Sequence, residues 1–139
     1  DGEFDEKYQA DLANGLGNLG ARIEVLAERI GYEADDEIPE INPDVAGAIE
    51  RFELDKGLEF IRLWITGLDR YLNQERPWEK EASESKLALF AIIKGNQGIK
   101  SIKEIASSLR PYLPDTAKEI LRRFSGRVKK GPILFPRLR

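Results

Sequence analysis

The chain has 139 residues, 41% hydrophobic and 34% charged, enough to bury the core of one soluble domain. It contains no cysteine and no histidine. That excludes disulfides, thiolate metal sites, a cysteine nucleophile and any Ser-His-Asp triad. The net charge of −3 hides an asymmetry: residues 1–40 sum to −9, residues 41–93 to −3, and residues 94–139 to +9. A basic end of that size suits a polyanion, although attraction between the two ends of the fold is the plainer account. The acidic start carries no secretory signal, the absent initiator methionine is what an excised or processed segment would show, and the longest apolar run, Leu87 to Ile93, is too short to cross a bilayer.

The periodic stretches are helical. Leu12, Leu16, Leu19, Ile23, Leu26 and Ile30 alternate spacings of four and three and make one stripe of a helix from about Asp5, with Gly31 as its stop. Residues 32–42 are acidic and aperiodic, a loop. Asn42 caps a short helix from Pro43 to about Phe52. Asp55 caps the next, which runs to about Gln74 with two apolar faces: Leu58, Ile61, Ile65, Leu68 and Leu72 on one, Phe60, Trp64 and Tyr71 on the other. A helix apolar on two sides is packed on two sides, so this one is central. Pro77 ends it.

Ser83 or Ser85 then caps a long helix that ends near Leu109 or Arg110, with a stripe of Leu89, Ile92, Ile99, Ile102, Ala106 and Leu109. Pro111 and Pro114 break the chain, and Pro114 opens a last short helix with Ala117, Ile120, Leu121 and Phe124. Residues 125–139 form a basic, extended tail whose Ile133, Leu134 and Phe135 pin it across the bundle. No run alternates like a half-buried strand. The expected fold is a single all-α bundle of about five helices over residues 1–139.

Gly15-Leu16-Gly17-Asn18-Leu19-Gly20 spells G-x-G-x-x-G, but a dinucleotide site needs a strand before the glycines, and here the upstream residues are in helical register. Inside a helix each glycine costs about 1 kcal/mol relative to alanine, so close approach of another helix or of a ligand is the expected compensation. Asn18 and Arg22 share one face at the edge of the apolar stripe, and Asn14 continues it. They either solvate that face or read a base edge, since asparagine offers a donor and an acceptor and arginine a fork of donors. Trp78 follows Pro77, lies outside both apolar faces and is flanked by Arg76, Glu79 and Lys80. It is a core plug or a stacking platform for an unpaired base. Trp64 belongs to an apolar face and reads as core. Asp35, Asp36 and Glu37 lack calcium-loop spacing, and no nucleophile is paired with a base, so no catalytic centre and no metal site are expected.

Four blocks together resemble the anticodon-binding domain of the methionyl-tRNA synthetases, a class I family. Residues 11–22 are similar to D-L-x-N-x-L-x-N-L-x-x-R of its first helix, with Arg22 in the last place. Residues 70–79 resemble N-x-Y-[IV]-x-x-x-x-P-W-x, residues 109–116 resemble L-x-P-[FY]-[ML]-P-x-[TS], and residues 132–138 resemble P-x-L-F-P-R-[IL]. They occur in the family's order and span nearly the whole chain. Asp69 and Arg70 depart from the residues usual before the tyrosine, Gly15 and Gly20 are smaller than usual, and residues 31–55 match loosely.

The resemblance implies binding of the anticodon loop of methionine tRNA. Asn18 and Arg22 would contact anticodon bases, Trp78 would stack on the first of them, a cytosine, and Asn14 and Pro77 would support them. The basic third, including Lys94, Lys100, Lys103, Lys129 and Lys130, holds the candidate phosphate contacts, the last two foremost. It further implies a cytoplasmic ligase whose catalytic domain, where ATP and methionine bind, is absent from this chain, so this domain holds no cofactor, meets that catalytic domain as a partner, and touches no membrane. The readings set against it are the corresponding domain of another class I synthetase, a helical protein-interaction module without RNA, and an enzyme acting alone.

Overall fold

A computed structural model describes residues 2–95 and 98–132. Among the described residues six α-helices make the bundle: α1 Gly2–Ile30, α2 Pro43–Glu50, α3 Leu54–Glu75, α4 Ala82–Ile93, α5 Ile102–Leu109 and α6 Pro114–Arg123, with a 3-10 turn, Pro77–Glu79, between α3 and α4. The all-α class is as expected. Helix α3 packs on α1, α2, α4 and α5, which makes it the centre. Its Leu58, Ile61, Leu68 and Leu72 are fully enclosed, while Phe60, Trp64 and Tyr71 lie half-buried against the same core. Truncating any one of the enclosed leucines to alanine costs about 2–5 kcal/mol.

Several boundaries follow directly from local chemistry. Gly31 takes φ +67° and turns the chain out of α1, with Tyr32 N donating to Ala27 O at 2.9 Å. Asn42 Oδ1 accepts from Asp44 N at 2.9 Å and caps α2. Others differ from expectation. The expected helix from Ser83 to Leu109 is two helices, because Gly95 adopts φ +143°, which no helix contains. The apolar stripe resumes in register seven residues on, which conceals the break. Ser85 caps nothing: it is buried, and its hydroxyl donates to Pro77 O at 2.6 Å. Asp55 lies inside the first turn of α3, and Glu53 occupies the cap position.

Two short strands also appear, β1 Glu33–Ala34 and β2 Gly126–Arg127, antiparallel with Glu33 opposite Arg127. Two-residue strands are too short to alternate, so periodicity missed them. They lay the chain after α6 along the loop after α1, and Val128 beyond them is fully buried. Ile133, Leu134 and Phe135, with most of the closing motif, lie outside the described residues.

Part of the charge asymmetry resolves into contacts between the two ends. Lys94 Nζ meets Asp35 at 2.7 Å and Glu37 at 2.6 Å. Lys103, 1% exposed, donates to the Asp35 carbonyl at 2.9 Å. Arg123 meets Glu24 at 3.4 Å, and Lys130 N donates to Glu28 Oε2 at 2.5 Å. The Lys94 ammonium holds the Asp35 carboxyl below the usual carboxylate range. Among the described residues, no helix is long and apolar enough to cross a membrane.

Candidate nucleic-acid interface

Helix α1 runs unbroken through Gly15, Gly17 and Gly20, so the glycine string forms no phosphate loop. A Cβ on Gly15 would lie 3.9 Å from Ile65, an ordinary contact, so no close approach is required there. On the outer face of α1 stand Asn14, Asn18 and Arg22, all exposed. Arg22 does not simply solvate the surface. Its Nη1 donates to Asp69 Oδ1 at 2.8 Å and its Nη2 to Asn73 Oδ1 at 2.8 Å. Asn73 Nδ2 in turn donates to Asp69 Oδ2 at 3.3 Å. This three-membered network locks the guanidinium over the seam between α1 and α3. Two of its five donors are engaged, and the rest remain for a ligand.

At the end of that seam stands Trp78. Helix α3 stops when Arg76 enters the left-handed region, φ +49° and ψ +59°. Pro77 is buried, and its carbonyl accepts from Lys80 N at 3.2 Å and from the Ser85 hydroxyl. The turn is therefore tied at both ends, and Trp78 projects from it 37% exposed. One side of the indole is approached by the Arg76 guanidinium, 5.6 Å from the ring centroid. Glu79 grips that guanidinium through both oxygens, and the pair holds the Glu79 carboxyl below the usual range. Trp78 also borders a cavity of about 100 Å³ formed with Leu26, Ile30 and Leu89. It is neither a core plug nor a free side chain: an apolar cavity lies beside it and part of the ring meets solvent.

The structure thus brings Arg22 and Trp78 to one seam, linked through Asn73 and the last turn of α3. Asn18 lies one helical turn before Arg22, about 6 Å along the axis. Lys129 and Lys130 are exposed on the chain that borders the opposite edge of α1, where Glu24 and Glu28 hold it. Three of the candidate phosphate contacts already have partners within the fold. Lys94 is taken by Asp35 and Glu37, Lys103 is buried, and Lys100 lies 5.8 Å from the Trp64 ring centroid. Sequence reasoning missed Asp69, Asn73 and Arg76. Nothing in their spacing shows that α1 lies opposite, although Arg76 could be suspected from the proline after it.

The methionine–tRNA ligase of Fusobacterium nucleatum is 30% identical over an alignment covering 86% of this chain and 22% of that protein. The chain is a relative of the methionine–tRNA ligases. The ligase of Clostridium acetobutylicum is 26% identical over 97% of the chain, and that of Thermotoga maritima 24% over 90%. The chain spans about a quarter of the length of these curated ligases. No family model matches it, and no solved structure does.

Proposed function

We propose that this domain recognises the anticodon loop of methionine tRNA, as the C-terminal anticodon-binding domain of a cytoplasmic methionine–tRNA ligase. ATP and methionine then bind in the ligase's catalytic domain, and this domain supplies recognition rather than chemistry. The observation that carries the reading is the shared seam of Arg22 and Trp78: a rigid, half-exposed indole in line with a guanidinium already fixed in orientation. An unpaired loop base can be splayed out, stacked on such an aromatic and hydrogen-bonded on its edge. Stacking on Trp78 is worth about 1–3 kcal/mol. Bidentate readout by Arg22, with Asn18 one turn away, adds about 1–3 kcal/mol. Lys129 and Lys130 contact loop phosphates from the far edge of α1, and Asn14 and Pro77 support the two base-contacting positions.

The test is a fluorescence titration with a methionine anticodon stem-loop, in a Trp64→Phe background so that Trp78 is the sole emitter. A second stem-loop with the first anticodon base changed runs beside it. Quenching by the first and much weaker quenching by the second is the expected result. Equal response to both overturns base readout at Trp78, and no response to either at low salt overturns the whole reading and favours the protein-interaction module.

A further inference from the structure

Around the Trp78 cavity, one cation is unlike the rest. Arg22 is engaged by Asp69, Arg76 by Glu79, and Lys80 by Glu75 at 3.1 Å. Arg29, in the last turn of α1, borders the same cavity, is exposed, and meets no carboxylate among the described residues. It lies seven residues after Arg22, so the two differ by about 20° around the helix and about 10 Å along it. Arg29 and Trp78 therefore border one trough, and Arg22 lies on the same face of α1 two turns before it. Arg22 stands toward the middle of α1, and Arg29 stands beside the indole.

We infer that Arg29 is a phosphate-binding residue of this trough, taking the backbone phosphate next to the base that rests on Trp78. The inference rests on the anticodon reading above and extends it. A base stacked at the mouth of the cavity leaves its own sugar and phosphate outside, because the cavity, about 100 Å³ with Leu26, Ile30 and Leu89 in its wall and Arg29 and Lys80 at its border, is too small for a ribose phosphate. The charge that remains at the rim needs a cation that is not already neutralised, and Arg29 is that cation. Its planar fork matches two phosphate oxygens at once. The competing account gives Arg29 only a structural task, complementing the negative end of the α1 dipole. The two accounts predict different behaviour.

A phosphate contact is blind to sequence and sensitive to salt. Arg29→Gln is expected to weaken binding of the methionine stem-loop and of the changed-base stem-loop by the same factor. The slope of log affinity against log salt should fall by about 0.7, the value for one phosphate on a single strand. Between 50 and 200 mM salt, wild-type affinity then falls about 2.6-fold further than that of the variant. Arg29→Lys should restore the slope, and thermal unfolding should hardly move.

An unchanged slope and affinity in Arg29→Gln overturns the inference and leaves the dipole account. A loss confined to the methionine loop also overturns it, since Arg29 would then read a base. Trp78→Ala, run in parallel, separates the two levels. If wild type binds and Trp78→Ala loses discrimination, the anticodon reading stands whatever Arg29 does. If wild type binds neither loop, both fall.

Discussion

Arg22 of α1 and Asp69 of α3 form an ion pair of 2.8 Å directly on the candidate RNA face, with side chains 44% and 48% exposed. The pair does two opposing things. It fixes the guanidinium where a base edge can meet it, and it places a carboxylate beside an incoming polyanion. Asn73 gives Arg22 a second, neutral acceptor at 2.8 Å, so orientation does not depend on Asp69 alone. Asp69→Asn is therefore expected to tighten stem-loop binding by up to about fivefold, because an exposed pair is worth about 0.2–1 kcal/mol. Stability should fall by less than 1 kcal/mol on the same scale. Weaker binding in the variant would mean that Asp69, rather than Asn73, sets the direction of Arg22.

Removing the platform should cost much more. Trp78→Ala forfeits stacking worth about 1–3 kcal/mol, roughly 5- to 160-fold in affinity, and should erase most discrimination at the first anticodon base. Arg22→Ala should weaken binding by a similar factor, and Asn18→Ala should weaken it too. Because Trp78 is partly exposed and its turn is held by Pro77 and Ser85, the helical circular dichroism of Trp78→Ala should match wild type. Loss of that signal in both Trp78→Ala and Arg22→Ala would show instead that the two residues serve packing.

What the sequence made legible, and what it did not, follows from the range of each interaction. The stripe from Leu12 to Ile30 and the two faces of α3 are local periodicities, and both helices are present, although α3 starts before the expected Asp55 cap. The Asn42–Pro43 start of α2 is a cap whose donor lies two residues away. The split between α4 and α5 was hidden because it turns on a single backbone angle at Gly95, while the apolar spacing on either side remains compatible with one helix. The candidate site rests on residue types, Asn18, Arg22 and Trp78, and on a family resemblance. The partners of Arg22 were not legible, because Asp69 and Asn73 are 47 and 51 residues away and no local pattern reports such distances. Lys103 shows the opposite error. Its sequence context places it among the candidate phosphate contacts, but packing buries its stem and the Asp35 carbonyl takes its ammonium.

The block at residues 109–116 earns its place through Tyr112, whose hydroxyl donates to Leu54 O at 2.9 Å and closes α5 and α6 onto the start of α3. That approach needs Gly57. A Cβ there would sit 2.1 Å from the Tyr112 oxygen and 3.2 Å from its ring carbon. Gly57→Ala is expected to cost about 1–3 kcal/mol, as overpacking does, seen as a lower urea midpoint. Adding Tyr112→Phe should recover part of the loss by removing the nearest atom. Gly67, ten residues on, has nothing within 4 Å of its would-be Cβ, so Gly67→Ala should instead stabilise α3 by about 0.5–1 kcal/mol.

The link that holds the tail against α1 carries its own pH signature. Arg122 and Arg123 together hold the Glu119 carboxyl down to about 2, against an ordinary value of 4.5. Arg123 also reaches the buried Glu24 and donates to Pro132 O at 2.8 Å, so Glu119 steadies the residue that positions Lys129 and Lys130. A depressed carboxylate stabilises the fold fully above its unfolded pKa and loses that contribution as pH falls toward the folded one. Glu24 acts with the opposite sign. Burial raises its pKa, with Arg123 pulling back, so its protonation in acid favours the fold. The wild-type profile mixes the two, and substitution separates them. Glu119→Gln should melt lower than wild type at pH 7 by an amount that is constant down to about pH 4.5, shrinks below it and vanishes near pH 2. Thermal melts of the two proteins across that range read the difference directly. A gap that persists unchanged at pH 2 would mean that Glu119 stabilises by packing rather than by its charge.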